Sequence, residues 1–111
     1  MKLSEIAKKH YKMMVDKGFH ENKPDRYMHT LLGEWVTVKL ALIHSEVSEA
    51  LEVVRKKSFF GGTPKAFSEE LADVILRTLD LSESLNIDIE QVLKDKMEKN
   101  RERPYKHGKE F

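Results

Sequence analysis

The sequence of 111 residues contains no cysteine. This absence excludes disulfide bonds, thiolate metal sites and cysteine nucleophiles, and it is compatible with a reducing compartment. No apolar run approaches the roughly 20 residues that a membrane-spanning helix requires. The first residues also lack the apolar core of a signal peptide. We therefore expect a cytoplasmic protein that does not associate with a membrane.

Neither sign of charge is in excess, because 20 Lys and Arg stand against 19 Asp and Glu. A net charge of +1 is too balanced for bulk attraction to nucleic acid, so nucleic acid is not an expected partner. Charged residues make up 35% and apolar residues 40% of the chain, a mixture typical of helix-rich soluble proteins. The length suits one domain, residues 1–111, with a modest core.

Apolar residues recur at three- and four-residue intervals through four segments, and no segment alternates in the manner of a strand. The spacing predicts a first helix that is capped by Ser4 and ends near Asp16, followed by helices over about 26–57, 65–85 and 89–101. We therefore expect an all-α protein with a four-helix, bundle-like arrangement. The second helix is too long for a small monomer to cover, so a dimer or tetramer is expected.

The same spacing predicts which side chains point into the core. On the third and fourth helices and in the break between the second and third, these include Leu71, Ile75, Leu79, Val92, Leu93, Met97, Phe59 and Phe60. Asp88 and Gln91 predict a capping box at the start of the fourth helix.

Two pairs of carboxylates stand out within the helical segments. Glu46 and Glu49 are three residues apart, and so are Glu70 and Asp73. Residues at this spacing share a helix face, with Cβ atoms roughly 5–6 Å apart. Both pairs lie in hydrophobic runs, where unpaired carboxylates are costly to bury. If the two helices pack together, four carboxylates converge and require protonation or a cation.

Oxygen ligands in that number suit Mg²⁺, with Mn²⁺ as a possible substitute, far better than zinc. One Glu-x-x-Glu is weak evidence, since glutamates on helices usually form a solvated face. Two such pairs, each flanked by apolar residues and followed by a basic segment, favour a metal site. Di-iron bundles fit less well because they use Glu-x-x-His pairs, which these four residues do not form.

The last predicted helix becomes basic towards its end. Lys96, Asn100 and Arg103 share one face if the helix continues to Pro104, which ends it. Such a run is most often a solvated face that also favours the helix dipole. Beside a carboxylate-held cation, it is also what a polyphosphate requires. The tail from Tyr105 onwards is expected to be extended.

Other residues allow two interpretations. Phe19 and His20, in the connector at 17–25, belong either to plain linkage or to a lid over a site. Trp35 is more often a core or interface residue than a platform for base stacking.

Arg77 and Asp80 follow Asp73 at i+4 and i+7. They form either salt bridges behind the metal or an exposed ladder of charges.

Three motifs together resemble the MazG-like all-α nucleoside triphosphate pyrophosphohydrolases over roughly residues 36–107. They are Glu46-x-x-Glu49, Glu70-x-x-Asp73 and the run from Lys96 to Tyr105. The Glu-Val-Ser-Glu-Ala-Leu-Glu run is similar to the group that includes the dCTP pyrophosphatases. The resemblance implies magnesium-dependent cleavage between the α- and β-phosphates of a nucleoside triphosphate, which gives a nucleoside monophosphate and pyrophosphate. It also implies dimers or tetramers that share helices around the site, and a use in nucleotide-pool house-cleaning.

The resemblance also implies a role for each matching residue. The metal ligands would be Glu46, Glu49, Glu70 and Asp73. Glu46 or Glu49 would in addition orient the attacking water or accept its proton. The substrate contacts would be Lys96, Asn100, Arg103 and Tyr105. The chain has one tryptophan, where some relatives line the base pocket with several, and it carries the extra connector at 17–25, so the base is not specified.

Two alternatives share this pattern of residues. A phosphoribosyl-ATP pyrophosphohydrolase-like enzyme would use the same helical carboxylates on a different substrate. A non-catalytic helical interaction module would leave the carboxylates solvated. A substrate panel distinguishes the first alternative. The response of the melting temperature to divalent ions distinguishes the second, because a ligand that binds only the folded state raises it.

Overall fold

The computed structural model describes residues 1–105, and over these residues it consists of four α-helices without strands. The helices are α1 (Leu3–Asp16), α2 (His29–Lys56), α3 (Lys65–Ser84) and α4 (Ile89–Arg101). The all-α, four-helix prediction is therefore confirmed. Within this range no helix is long and apolar enough to cross a membrane. The tail that was expected to be extended lies, after Tyr105, outside the described residues.

α3 is the central helix of the described chain. It packs against α2, α1 and α4. It also contains most of the buried side chains: Leu79, Asp80, Ser82 and Ser84 on α3, compared with Ala7 on α1 and Ala50 on α2. The acidic residues of α3 are therefore positioned by contacts on several sides.

The end of α1 sets the direction of the chain that follows. Gly18 has a φ of +85°, and its N–H donates to the carbonyl of Val15 over 3.0 Å. The N–H of Phe19 donates to the carbonyl of Met14, also over 3.0 Å. This pair of bonds is a Schellman motif, in which a left-handed residue satisfies the last carbonyls of a helix. It places Phe19 directly after α1 in a defined position.

The turn from α3 to α4 is equally tight. Asn86 has a φ of 57°, a left-handed conformation that asparagine tolerates. Asp88 then caps α4, because its carboxylate accepts the N–H of Gln91 over 3.2 Å. The half of the predicted capping box in which Asp88 accepts the N–H of Gln91 is therefore confirmed. The Gln91 side chain donates instead to Asp95, so it does not complete a capping box.

Two predicted helix starts are wrong by a few residues. Ser4 lies inside α1, whose N-cap is Lys2 and makes no side-chain cap hydrogen bond. α2 begins at His29 rather than near residue 26. The reason is a local turn in which the Asp25 carboxylate accepts the N–H of Tyr27 over 2.8 Å. Such a bond offers the backbone an alternative to the helix.

Most of the side chains predicted to point into the core are exposed in this chain. Leu79 is buried as predicted, whereas the exposed residues are Leu71, Ile75, Val92, Leu93, Met97, Phe59 and Phe60. Phe60 is 98% exposed, so it does not close an end of the core. Helical spacing identifies an apolar face without identifying what covers it. The helices pack around α3, and their outer apolar faces remain open.

Two glycines test the local conformations described above. Gly18→Ala is expected to lower the free energy of unfolding by about 1 kcal/mol, because the positive φ strains an L-residue. The new Cβ would also lie 3.1 Å from Glu21 Oε1. Gly33 lies within α2, and a Cβ added there would have no atom within 4 Å. Gly33→Ala is therefore expected to raise the free energy of unfolding by roughly 0.5–1 kcal/mol. Urea unfolding followed by circular dichroism measures both. A stabilised Gly18→Ala variant would contradict the turn.

Candidate metal centre

The packing of α2 against α3 places the two acidic pairs side by side. Carboxylate oxygens of Glu46, Glu70 and Asp73 all lie within 4.8 Å of one another. Glu46 and Glu70 are half-buried, whereas Asp73 is exposed. Several carboxylate oxygens at this spacing are the donors that Mg²⁺ and Mn²⁺ prefer. These three residues, which we call the acidic cluster, therefore fit a divalent cation.

Glu49 lies at the margin of the acidic cluster. It is exposed and is not one of the three residues that approach one another within 4.8 Å. Its charge nevertheless contributes to raising the pKa of Glu70. The structure thus brings together three of the four predicted metal ligands and leaves the fourth close by.

The pKa of Glu70 is raised above its ordinary value of 4.5. Removal from water is the largest cause, followed by a hydrogen bond shared with Glu46 and by repulsion from Glu46, Asp73 and Glu49. Each of these effects disfavours the ionised carboxylate. The cluster therefore resists full ionisation unless positive charge is added.

Arg77 supplies part of that positive charge. Its Nε donates to Glu46 Oε1 over 2.8 Å, and the exposed fraction of the side chain is 34% for Arg77 and 15% for Glu46. Of the two interpretations of Arg77, the salt bridge beside the carboxylates is correct. The exposed ladder is wrong, because Asp80 is 4% exposed and has a different partner.

That partner is His20, in the segment that links α1 to α2. His20 Nε2 lies 2.8 Å from Asp80 Oδ1 and 3.0 Å from Oδ2, and both side chains are 5% exposed. The rings of Tyr11 and Trp35 have their centroids 5.1 and 5.6 Å from the His20 ring. Trp35 is half-buried and packs against the connector through His20. The pair joins residues sixty apart in the sequence, so no local pattern indicated it.

A cavity of about 300 Å³ lies beside the acidic cluster. Its lining combines charged groups of the cluster with apolar and aromatic side chains: His10, Met14, Phe19, Glu46, Asp73, Leu76 and Arg77. A second cavity of about 410 Å³ lies near the start of α1 and the turn from α3 to α4, and it contains none of the predicted site residues. The first cavity is therefore the one associated with the candidate metal centre.

The predicted substrate-binding residues do not line that cavity. Lys96, Arg103 and Tyr105 are exposed. Asn100 is half-buried, and its Oδ1 is buried without a hydrogen-bond partner among residues 1–105. Lys96 and Asn100 lie on α4, which packs against α1 and α3, whereas Arg103 and Tyr105 follow the end of that helix at Arg101. The structure therefore places none of these four residues in the wall of the cavity beside the acidic cluster.

The protein family of this chain follows from a comparison with known families. A sequence model of the MazG nucleotide pyrophosphohydrolase domain matches residues 36–107. The chain belongs to the MazG nucleotide pyrophosphohydrolase family. It is accordingly an enzyme of the class that hydrolyses acid anhydrides, and the resemblance noted in the sequence is confirmed at the level of the family. Comparisons with curated proteins and with solved structures give no match.

The matched segment of this MazG-family protein contains most of α2 and all of α3 and α4, including every residue of the acidic cluster. It leaves out α1 and the connector to α2, which contribute Met14 and Phe19 to the cavity. MazG-family enzymes typically depend on a divalent metal, and the acidic cluster is where this chain offers ligands for one. The match therefore supports an enzyme rather than the non-catalytic interaction module.

The raised pKa of Glu70 predicts how stability depends on pH in the metal-free protein. The folded state holds this proton more tightly than the unfolded chain does. The resulting stability is present below about pH 4.5 and is lost as the pH rises through the raised folded pKa. Glu70→Gln should therefore melt at increasingly higher temperature than the wild type between pH 4 and pH 7. Glu69→Gln, an exposed neighbour, is the control, and an equal trend in both variants would contradict the assignment.

Proposed function

We propose that this enzyme hydrolyses a nucleoside triphosphate or deoxynucleoside triphosphate between the α- and β-phosphates. The products are a nucleoside monophosphate and pyrophosphate, and the setting is the removal of unwanted nucleotides from the pool. The observation that carries the proposal is the acidic cluster of Glu46, Glu70 and Asp73, which lies within the MazG-matched segment and opens onto a cavity. Mg²⁺ is the proposed cation, with Mn²⁺ as its substitute.

The acidic cluster would hold the cation, and Glu49 would add a ligand from one turn further along α2. When bound, the cation neutralises charge on the phosphate oxygens and polarises the phosphorus that is attacked. Arg77 keeps Glu46 in place through its bond to Oε1, which leaves Oε2 of Glu46 without that restraint. The arrangement thus keeps one carboxylate oriented before the substrate arrives.

Attack on the α-phosphorus requires a group that orients water and accepts its proton. Glu49 suits this role better than Glu46. Glu46 already accepts a bond from Arg77 and belongs to the cluster, whereas Glu49 is exposed beside it. We therefore assign Glu49 as the general base and keep Glu46 as the alternative.

The basic residues on α4 and just after its end would bind the departing pyrophosphate. Lys96 and Arg103 would supply positive charge and Asn100 a neutral hydrogen-bonding group, with Tyr105 at the end of the motif. The amide Nδ2 of Asn100 would donate to a phosphate oxygen, whereas its buried, unpartnered Oδ1 is an acceptor and would take a donor such as a sugar hydroxyl. These residues contribute binding and orientation rather than bond-breaking.

A homodimer or homotetramer would cover the open apolar faces. On α2, Leu40, Val47, Leu51 and Val54 are each about half exposed and recur at intervals of three, four and seven residues. A long apolar stripe of this kind is unusual on a monomer. Packing against the same stripe of a second copy would remove it from water in the manner of a coiled-coil seam.

The products of the reaction test the proposed function. With Mg²⁺ and a panel of canonical and damaged nucleoside triphosphates, the enzyme is expected to release pyrophosphate, because attack falls on the α-phosphorus. Phosphate detection with and without added pyrophosphatase, together with chromatography of the nucleotides, measures this. Asp73→Asn is the inactive control, expected to keep its helical circular dichroism and lose turnover. Direct release of orthophosphate would contradict the proposal.

Arg103 tests the role of the basic face. Arg103→Ala is expected to reduce kcat/KM by on the order of a hundredfold, since a charge-assisted contact to phosphate is lost. Lys94→Ala is the matched control, because Lys94 is also an exposed cation but lies on the opposite side of α4 from Lys96. Steady-state kinetics measures both variants. Equal and small effects would show that the basic run is only a solvated face.

A further inference from the structure

The wall of the cavity beside the acidic cluster contains a permanent positive charge. Among the described residues that line this cavity, Arg77 is the one lysine or arginine. The cations of the sequence motif, Lys96 and Arg103, do not line it. Since a guanidinium stays protonated in proteins, Arg77 is the side chain of this wall that is suited to a negatively charged ligand.

The guanidinium of Arg77 is anchored at one of its three nitrogens. Nε donates to Glu46 Oε1 across the contact between α3 and α2. This bond uses one of the five N–H donors of an arginine. Within residues 1–105, Nη1 and Nη2 have no hydrogen-bond partner. The end of the side chain is therefore held in position while four of its donors stay available.

An arginine beside carboxylates can also be a plain counter-ion. In that role it frequently makes two parallel bonds to one carboxylate, which uses both nitrogens of an edge. Arg77 instead makes a single bond to Glu46, and a third of its side chain is exposed. The outer edge, formed by Nη1 and Nη2, is not needed for the ion pair.

The balance of charge in a site that holds a cation also favours an anion at this edge. A divalent cation balances two of the three carboxylates of the acidic cluster, and Arg77 balances the third. Without Arg77 the site would keep a negative charge and repel phosphate. The planar fork of an arginine also matches two oxygens of a phosphate, which an ammonium group does not.

We propose that Arg77 binds a phosphate group of the substrate through Nη1 and Nη2 while its Nε stays on Glu46. One guanidinium then orients a metal ligand and neutralises the phosphate beside it. Arg77 lies on α3 four residues after Asp73, so the helix that supplies Glu70 and Asp73 also supplies a phosphate contact. The sequence motif assigns its phosphate contacts to other residues, on α4 and after it. This inference rests on the proposed function.

Two calorimetric titrations test the proposal. The first uses methylenediphosphonate in excess MgCl₂, because this probe has two linked phosphorus groups, no base and no bond that can be hydrolysed. The wild type is expected to bind it, and Arg77→Gln should weaken the binding by about tenfold or more, since charge-assisted hydrogen bonds are lost. Arg77→Lys should weaken it by several fold, because one ammonium cannot bond to Glu46 and present a fork at once.

The second titration uses MnCl₂ without phosphate and separates phosphate binding from the orientation of Glu46. Arg77→Gln should bind Mn²⁺ at least as tightly as the wild type, because a positive charge beside the cluster has been removed. Retained Mn²⁺ binding also shows that the cluster is intact. If the affinities for Mn²⁺ and methylenediphosphonate fall together, Arg77 only orients Glu46 and the proposal is overturned.

Arg55→Gln is the matched control. Arg55 is also an arginine beside a glutamate, with Nη1 3.4 Å from Glu52 Oε1, but it lies outside the cavity. Its substitution should leave both affinities unchanged. An equal loss of methylenediphosphonate affinity in the Arg55 and Arg77 variants would overturn the proposal, and so would unchanged affinity in Arg77→Gln and Arg77→Lys.

The product assay distinguishes failure of this inference from failure of the proposed function. If the wild type releases pyrophosphate but the Arg77 variants bind methylenediphosphonate normally, the assignment of Arg77 is wrong and the function stands. If the wild type hydrolyses no triphosphate but Arg77→Gln alone loses the probe, the reaction is wrong and the phosphate site stands. If the wild type neither hydrolyses a triphosphate nor binds the probe, both are overturned.

Discussion

The repulsion among the carboxylates of Glu46, Glu70 and Asp73 is the constraint on which the rest of this protein depends. The contact between α2 and α3 holds their oxygens within 4.8 Å, and the pKa of Glu70 is raised first by removal from water and then by its carboxylate neighbours. Folding alone would avoid such an arrangement. A site that tolerates it gains affinity for a cation, because binding relieves a repulsion that already exists in the folded protein.

The structure offsets this repulsion at Glu46. Arg77 bonds to Glu46 and neutralises one of the charges directly. On the same helix one turn later, Asp80 is a buried carboxylate that is hydrogen-bonded to Nε2 of His20. α3 therefore carries acidic residues in two roles: Glu70 and Asp73 face the cluster, whereas Asp80 ties the connector to the helix. Because both roles belong to one helix, the connector and the metal centre have a fixed relation to each other.

Much of this architecture could be predicted from the sequence, and the failures have a common cause. The helices and the acidic pairs follow from spacing within one segment, which is a local property. The pairing of His20 with Asp80 depends on residues sixty apart, and a polar residue within a helical pattern is ordinarily read as exposed. The positions of Leu71, Ile75 and Phe60 were predicted wrongly because an apolar face specifies burial only when something covers it. The absence of Lys96 and Arg103 from the wall of the cavity beside the acidic cluster likewise depends on packing between helices, which no local spacing specifies.

The place of Trp35 has a consequence for observing this protein in solution. It is the one tryptophan of the chain. The centroid of its ring lies 5.6 Å from that of the His20 ring and 5.1 Å from Lys39 Nζ. His20 holds the connector, and Lys39 holds the carbonyl of Phe19. The tryptophan emission of the protein therefore comes from a single indole in contact with both attachments. Any movement of the connector away from α3 changes the surroundings of that indole, so the emission spectrum follows the connector without an added label.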